Sequence, residues 1–268
     1  MSREADDPME AEFGTVAEWT AEVAADLGPD YYIPAACRGS GQPAVLNWLL
    51  DRLEPRPADV LLDVGAGLGG PAAYAARRAR VRPVLAEPEP AACRAAARLF
   101  GAPPAGAKVV QADATALPFG DASVSLAWCL GVLCTASGAA AQQAMLAELR
   151  RVVRAGGRIG LLVFVAVAGH LDDPPQGNHF PASGQLHAQL GRAGLEAVDV
   201  ADFRDIGEPP ADWAKRADAA GRELQRRYGH TRQLAVATEQ SDRIGKLLGS
   251  GELTSQVILL RRRGSPRP

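Results

Sequence analysis

Residues 59–70, Asp-Val-Leu-Leu-Asp-Val-Gly-Ala-Gly-Leu-Gly-Gly, pass from an apolar run through one acid into a loop of glycines, an order that few folds accommodate. Val60 to Val64 are short, aliphatic and β-favouring, as in a parallel strand buried on both faces. Gly65, Gly67, Gly69 and Gly70 let the backbone turn tightly and let a ligand approach without meeting a Cβ. Pro71 opens a helix where a missing N–H costs nothing, and the unpaired amides of that helix start face the loop. Strand, glycine loop and helix together read as a site for a small-molecule cofactor. Gly65, Gly67 and Gly70 also satisfy the dinucleotide fingerprint G-x-G-x-x-G, so the loop alone leaves two cofactor classes open.

The rest of the chain supplies the context. Phe13, Val16, Thr20, Val23 and Leu27 recur at spacings of three and four, which predicts a helix ended by Gly28-Pro29. A polar and aromatic connector from Tyr31 to Gln42 follows, then a helix with Val45, Trp48, Leu49 and Leu53 on one face. Glu54-Pro55-Arg56-Pro57 reads as a linker. Strands and helices then alternate: strand Val84 to Glu87, helix Pro90 to Phe100, strand Lys108 to Ala112, strand Val124 to Leu130, helix Ala139 to Val153, strand Arg158 to Val167. That rhythm predicts an α/β fold, with a parallel sheet covered by helices and its ligands at the carboxyl edge. Beyond a long loop over 169–182 come a helix at Leu186 to Ala193 and a strand at Glu196 to Phe203. Two amphipathic helices follow, one through Trp213, Ala217, Ala220, Leu224 and Tyr228, the other through Leu234 to Leu248 and ended by Gly249. The final strand is Leu253 to Leu260. We expect residues 1–57 to form an N-terminal helical cap and 58–268 the cofactor-binding domain, with lid helices over about 207–250.

Bulk properties exclude several functions. A net charge of -2 over 268 residues gives no electrostatic footprint for nucleic acid. The one basic run, Arg261 to Arg263, sits in a tail read as solvated and disordered. No apolar stretch is long enough to span a bilayer, and the acidic start lacks a signal-peptide pattern, so a cytoplasmic protein with no membrane partner is expected. Cys37, Cys93, Cys129 and Cys134 form no C-x-x-C pair and the four histidines lack zinc-ligand spacing, so no metal is expected.

Two acids sit at strand ends. Glu87 lies twenty residues after Gly67, where a carboxylate can accept both hydroxyl protons of a ribose. Asp113 ends the third strand, where it could accept from an adenine amine or bind its own backbone in a turn. Asp63-x-Gly65-x-Gly67-x-Gly69, Glu87, Asp113-Ala114 with Leu117-Pro118-Phe119, Asp121-x-Ser123, Leu130 to Leu133 and Leu149-Arg150-Arg151-Val152-x-Arg154-Ala155-Gly156-Gly157 form an ordered set. Over roughly residues 43 to 204 the chain resembles class I S-adenosylmethionine-dependent methyltransferases of the small-molecule type, related to ubiquinone-biosynthesis enzymes. The resemblance implies a Rossmann-like seven-stranded, mostly parallel sheet with an antiparallel last strand. It implies S-adenosylmethionine as cofactor, with Asp63, Gly65, Ala66, Gly67 and Gly69 at the methionine end, Glu87 and Pro88 at the ribose, Asp113 and Ala114 at the adenine, and Cys129 and Leu130 beneath. The expected partner is a small-molecule methyl acceptor, methylated on O, N or C by a monomer or homodimer.

The chain departs from that pattern at Cys134-Thr135, where related enzymes often carry His-His or Glu-His. His179, on the polar loop after the fifth strand, is the candidate general base, with His170, Asp172 and Asp173 as neighbours. Trp213 and Tyr228 on a lid helix are candidates either for packing or for a substrate box, and Tyr31 and Tyr32 either for turn packing or for closing over the methionine end. The missing base keeps a second reading open, a cofactor-binding scaffold or rearrangement catalyst without methyl transfer. A nicotinamide-dependent oxidoreductase is the third.

Overall fold

The computed structural model describes residues 8–37, 41–169, 171 and 174–263. Three helices lead: α1 (Pro8–Leu27), α2 (Pro29–Ala36) and α3 (Pro43–Leu53). Then follow β1 (Val60–Val64), α4 (Gly70–Ala79), β2 (Arg82–Glu87), α5 (Pro90–Phe100), β3 (Lys108–Gln111), β4 (Val124–Leu130), α6 (Ala139–Val152) and β5 (Val153–Ala166). The chain closes with α7 (Ser183–Arg192), β6 (Leu195–Asp202), α8 (Ala211–Tyr228), α9 (Arg232–Ser250) and β7 (Leu253–Arg262). The seven strands make one sheet in the order β3-β2-β1-β4-β5-β7-β6. β1 pairs in parallel with β2 and β4, β2 with β3, and β4 with β5, while β7 runs antiparallel between β5 and β6. The expected Rossmann-like α/β sheet with an antiparallel last strand is what forms.

Strand periodicity divides the core. Leu61 packs on one face with α1, α3, α4 and α5 side chains, whereas Leu62 and Val64 pack on the other with α6 and α7. Asp63, two residues from Leu61, therefore turns toward the first face. The same face takes Val16, Ala17, Ala21, Val23 and Ala24 of α1, and Ala220, Leu224 and Leu234 of α8 and α9. Burying this many small aliphatic groups stabilises the sheet by about 25 cal/mol per Å² of apolar area. Among the described residues no helix is long and apolar enough to cross a membrane.

Four local expectations change. β7 runs on to Arg262, so Arg261 and Arg262 pair with Glu196 and Leu195 in the sheet instead of lying in a tail. The connector after Gly28 is partly helical: Gly28 adopts φ 103, Pro29 starts α2, and Tyr32 and Ile33 pack on the core. Pro34 fits because the last turn of an eight-residue helix loses one backbone bond to it. β5 begins at Val153 rather than Arg158, because Val153 pairs with Val124 before the register shifts and resumes at Arg158 opposite Leu126. α9 runs through Gly249 and ends where Gly251 enters the left-handed region at φ 80.

Candidate cofactor site

The glycine loop is held from below by the neighbouring strand. Gly65 and Ala66 both donate their amides to the Ala86 carbonyl, at 2.8 and 3.1 Å, and Gly69 N–H closes onto Ala66 O at 2.8 Å. Gly65 has φ +70, and a Cβ there would stand 2.5 Å from Val132 Cγ2, so side-chain strain and a clash both exclude any other residue. Gly67 N–H donates to Glu87 Oε2 at 2.8 Å, which ties the middle of the loop to the end of β2.

Asp63 and Glu87 differ in how they are satisfied. Glu87 is 5% exposed, and its second oxygen, Oε1, accepts from Glu89 N–H at 3.1 Å. Asp63 is 2% exposed, and its Oδ2 is buried without a hydrogen-bond partner. Its register partner on β4, Trp128, likewise buries an indole N–H without a partner. Burial pushes the Asp63 carboxyl up to about 7; the facing Trp128 indole opposes this and the Glu87 charge adds to it. The Cys37 thiol, at the end of α2, is raised by burial first and by the Asp63 charge second. A buried carboxyl with an oxygen left unpaired is costly, and a ligand with a cationic or N–H group would relieve it.

On the β3 side, Ala112 N–H reaches Glu87 O at 3.0 Å, and Gln111 Nε2 reaches Pro88 O at 3.2 Å. Glu87, Pro88 and Asp113 thus share one edge. Asp113 Oδ1 takes Thr115 N–H at 2.8 Å and Thr115 Oγ1–H at 2.7 Å, so one of its oxygens serves its own turn. Ala114 is half-buried beside it. Cys129 and Leu130 are buried on opposite faces of β4, and burial, with Asp63 and Cys134 adding, pushes the Cys129 thiol up to about 12.

The Leu117-Pro118-Phe119 segment is fastened by Arg151. Its guanidinium donates to Leu117 O (2.9 Å), Phe119 O (2.7 Å), Asp121 Oδ1 (2.9 Å) and both oxygens of Glu148 (2.6 and 2.7 Å). Glu148 Oε2 in turn accepts Leu117 N–H at 2.8 Å, and its pairing with Arg151 lowers its pKa. Gly157 completes the motif because a Cβ would stand 2.6 Å from Ser125 O across the sheet. The two sequence signatures are thus one device that fixes the loop after β3.

The acceptor side is built differently. His179 N–H donates to Cys134 O at 2.7 Å, and His179 O accepts from Gln142 Nε2 at 2.7 Å. Gln142 also reaches Leu133 O at 3.2 Å and takes Gln189 Nε2–H at 3.0 Å, so the loops after β4 and β5 are locked through the His179 backbone. The His179 residue is itself exposed. His170, Asp172 and Asp173 lie outside the described residues. Cys134 is 3% exposed, donates to Gly131 O at 3.3 Å, and is pushed up to about 12 by burial, which disarms it as a nucleophile near neutral pH. Trp213 meets Tyr74 edge-on at 5.9 Å and Tyr228 stacks on Trp19 at 4.3 Å, so both lid aromatics are engaged in packing. Tyr32 meets Phe100 edge-on at 6.5 Å. Among the described residues no group of three or more His, Cys, Asp and Glu could hold a metal ion.

Sequence reading did not single out Trp128, Cys37 or Gln142. The first two come near Asp63 only through strand pairing and helix docking, which leave no local signal. Gln142 was visible only as a polar residue on an otherwise apolar helix face.

A strand, a glycine loop with an unpaired buried acid, a second acid at the end of β2 and an antiparallel seventh strand define a class I S-adenosylmethionine-dependent methyltransferase fold. Residues 62–161 match a family model described as methyltransferase domain. No curated protein sequence matches the chain. The structure is similar to that of the (4+2)-cyclase SpnF, with TM-score 0.70 and 21% identity over 94% of both chains. It is also similar to a cyclopropane synthase from Mycobacterium tuberculosis (TM-score 0.65, 14% identity, 90% of this chain and 96% of that one). Geranyl diphosphate C-methyltransferase from Streptomyces coelicolor, crystallised with S-adenosyl-L-homocysteine, gives TM-score 0.61 and 15% identity over 82% and 75%.

Proposed function

We propose that the protein is a cytoplasmic S-adenosylmethionine-dependent methyltransferase acting on a small organic acceptor. The observation that carries the reading is Asp63: a buried carboxyl at the end of β1, with one oxygen unpaired, beside a loop that tolerates no side chain at Gly65. Asp63 with Gly65, Ala66, Gly67 and Gly69 would hold the cationic methionine end. Glu87 and Pro88 would meet the ribose, Asp113 and Ala114 the adenine, and Cys129 and Leu130 the underside. When bound, S-adenosylmethionine supplies an electrophilic sulfonium methyl. The chain's own work is then to align the acceptor and exclude water.

Residues 1–57 form the cap in this reading, and α8 and α9 the lid. His179, exposed on the rim, is the candidate base and would pass a proton to solvent. The chain acts as a monomer or homodimer. Calorimetric titration with S-adenosylhomocysteine tests the cofactor assignment: wild type binds, and Asp63→Asn and Glu87→Ala each weaken binding at least tenfold at pH 8. Unchanged affinity in both variants would overturn it, and binding of NADH instead would favour an oxidoreductase.

A second reading is a rearrangement catalyst that holds the cofactor without transferring its methyl. The likeness to a cyclase over 94% of both chains supports it, as does the exposure of His179. Incubation with methyl-labelled S-adenosylmethionine and candidate acceptors separates the two by whether label reaches product.

A further inference from the structure

The first turns of α1 carry an arrangement that packing alone does not use. α1 is clamped to α5 at Glu18, whose carboxylate takes Arg94 Nε–H at 3.1 Å and Nη2–H at 2.8 Å, and whose carbonyl takes Arg98 Nη2–H at 3.2 Å. One turn earlier Gly14 lies directly on Glu89, so that a Cβ on Gly14 would stand 2.5 Å from Glu89 Oε1. That carboxylate cannot retreat freely, because Oε1 also caps α5 by accepting Ala91 N–H at 3.0 Å. The contact therefore fixes the height of α1 above the end of β2.

Phe13 is placed by this contact. It is 41% exposed, although α1 buries Val16, Ala17, Thr20 and Ala21 within the next two turns. Its ring is not simply in solvent: Cζ stands 3.5 Å from where a Cβ on Gly67 would be, and among the described residues it is the one heavy atom within 4 Å of that point outside the loop's own neighbours. Gly67 is the residue whose amide Glu87 holds. The same loop residue is thus approached by the Phe13 ring on its Cα and held by the Glu87 carboxylate on its amide.

We propose that Phe13 is a cofactor-contacting residue that closes the outer side of the glycine loop and slows release of the bound nucleoside. The inference rests on the reading of the loop as an S-adenosylmethionine site. An aromatic ring left partly exposed against a ligand-binding loop gains its missing burial from the ligand, and a contact of that kind acts mainly on dissociation. The absence of a Cβ at Gly67 leaves room for ring and ligand to meet.

Stopped-flow measurement of S-adenosylhomocysteine binding and release, read by intrinsic tryptophan fluorescence or by displacement, tests it on the full chain. Phe13→Ala should release the ligand about tenfold faster with an association rate changed less than about twofold, while the melting temperature without ligand stays at the wild-type value. Phe13→Leu should fall between. Gly14→Ala, which lifts α1 off Glu89 and keeps the phenyl ring, should also speed release. Release from Phe13→Ala at the wild-type rate would overturn the proposal, as would equal acceleration of both rates with affinity unchanged. Failure of the wild type to bind S-adenosylhomocysteine is a different result, since it removes the cofactor reading itself.

Discussion

The proposed donor side of the sheet, at β1 and the facing stretch of β4, leaves a carboxylate oxygen and an indole N–H unpaired, whereas the proposed acceptor side, around the loops after β4 and β5, ties most of its polar groups to one another and leaves Gln189 Oε1 unpaired. Asp63 Oδ2 and Trp128 Nε1 are buried without partners in the first. In the second, Gln142 bonds to Gln189 and to the His179 backbone, Cys134 is bonded to Gly131, and of the α8 aromatics Trp213 meets Tyr74 edge-on and Tyr228 stacks on Trp19. A site that must grip a charged, polar cofactor keeps its hydrogen-bonding capacity in reserve. A site that must shape a chamber for a less polar acceptor needs rigid walls. The contrast also explains why cofactor residues outnumber catalytic ones: rigidity of a wall has no signature residue.

The largest expected effect tests the rigidity of the donor half. Arg151→Met removes the donors of Leu117 O and Phe119 O and leaves Glu148, with a side chain only 17% exposed, without its cation. Charged hydrogen bonds of this kind contribute about 1.5–3 kcal/mol each and are not additive, so a loss of about 3 kcal/mol is expected in urea unfolding. Arg151→Lys keeps the charge and loses the planar fork, and should recover less than half of it. If Arg151→Met unfolds at the wild-type urea concentration, the signature is not a mechanical fastening.

Next in size is Gly65→Ala. With φ +70 and Val132 Cγ2 2.5 Å from the added Cβ, it should cost about 2 kcal/mol of stability and abolish detectable S-adenosylhomocysteine binding. Trimming the neighbour in Gly65→Ala/Val132→Ala removes the clash but not the backbone strain, so stability should return only in part. Full recovery of both would mean that the loop was shaped by Val132 and not by the left-handed backbone.

The sequence discloses the two halves unequally. Strand and helix limits from α3 to β4 were legible because apolar periodicity, Gly and Pro punctuate them. Elements that depend on distant packing were not: α2 hid behind Tyr31-Tyr32 and Pro34, and the first residues of β5 lay between the expected helix end at Val153 and the expected strand start at Arg158. Site residues of the donor half could be listed because each stands at a strand end. Arg151 was visible only as part of a family pattern, and its hydrogen bonds needed the folded loop. Phe13 read as one more position on an apolar helix stripe, since nothing local says that its ring reaches a loop fifty residues away.

A tenfold effect is expected from proton linkage at Asp63. A carboxyl raised from 3.8 to about 7 holds its proton in the folded state over pH values where the unfolded chain has lost it. Its contribution to stability is full below the unfolded value near 4 and fades as pH rises through about 7. The melting temperature without ligand should therefore fall between pH 5 and pH 8, and Asp63→Asn should flatten that fall. Binding should run the other way, because a cationic methionine end prefers the carboxylate. Affinity for S-adenosylhomocysteine should gain about tenfold from pH 6 to pH 8, about half of it by pH 7, and level off above pH 8. A flat affinity profile in the wild type would separate Asp63 from the methionine end.

The smallest expected effect discriminates backbone from side chain on the acceptor side. His179→Ala removes an exposed imidazole and keeps the N–H that meets Cys134 O at 2.7 Å and the carbonyl that meets Gln142. Stability and S-adenosylhomocysteine affinity should stay within about 0.5 kcal/mol of wild type, as surface substitutions do. His179→Pro keeps the carbonyl and deletes the N–H, and should cost about 1–2 kcal/mol by leaving a buried carbonyl at Cys134 unpaired. If instead His179→Ala proves the more damaging, and especially if it slows turnover while binding holds, the imidazole is part of the chemistry. The acceptor half would then keep a reactive group in reserve just as the donor half does.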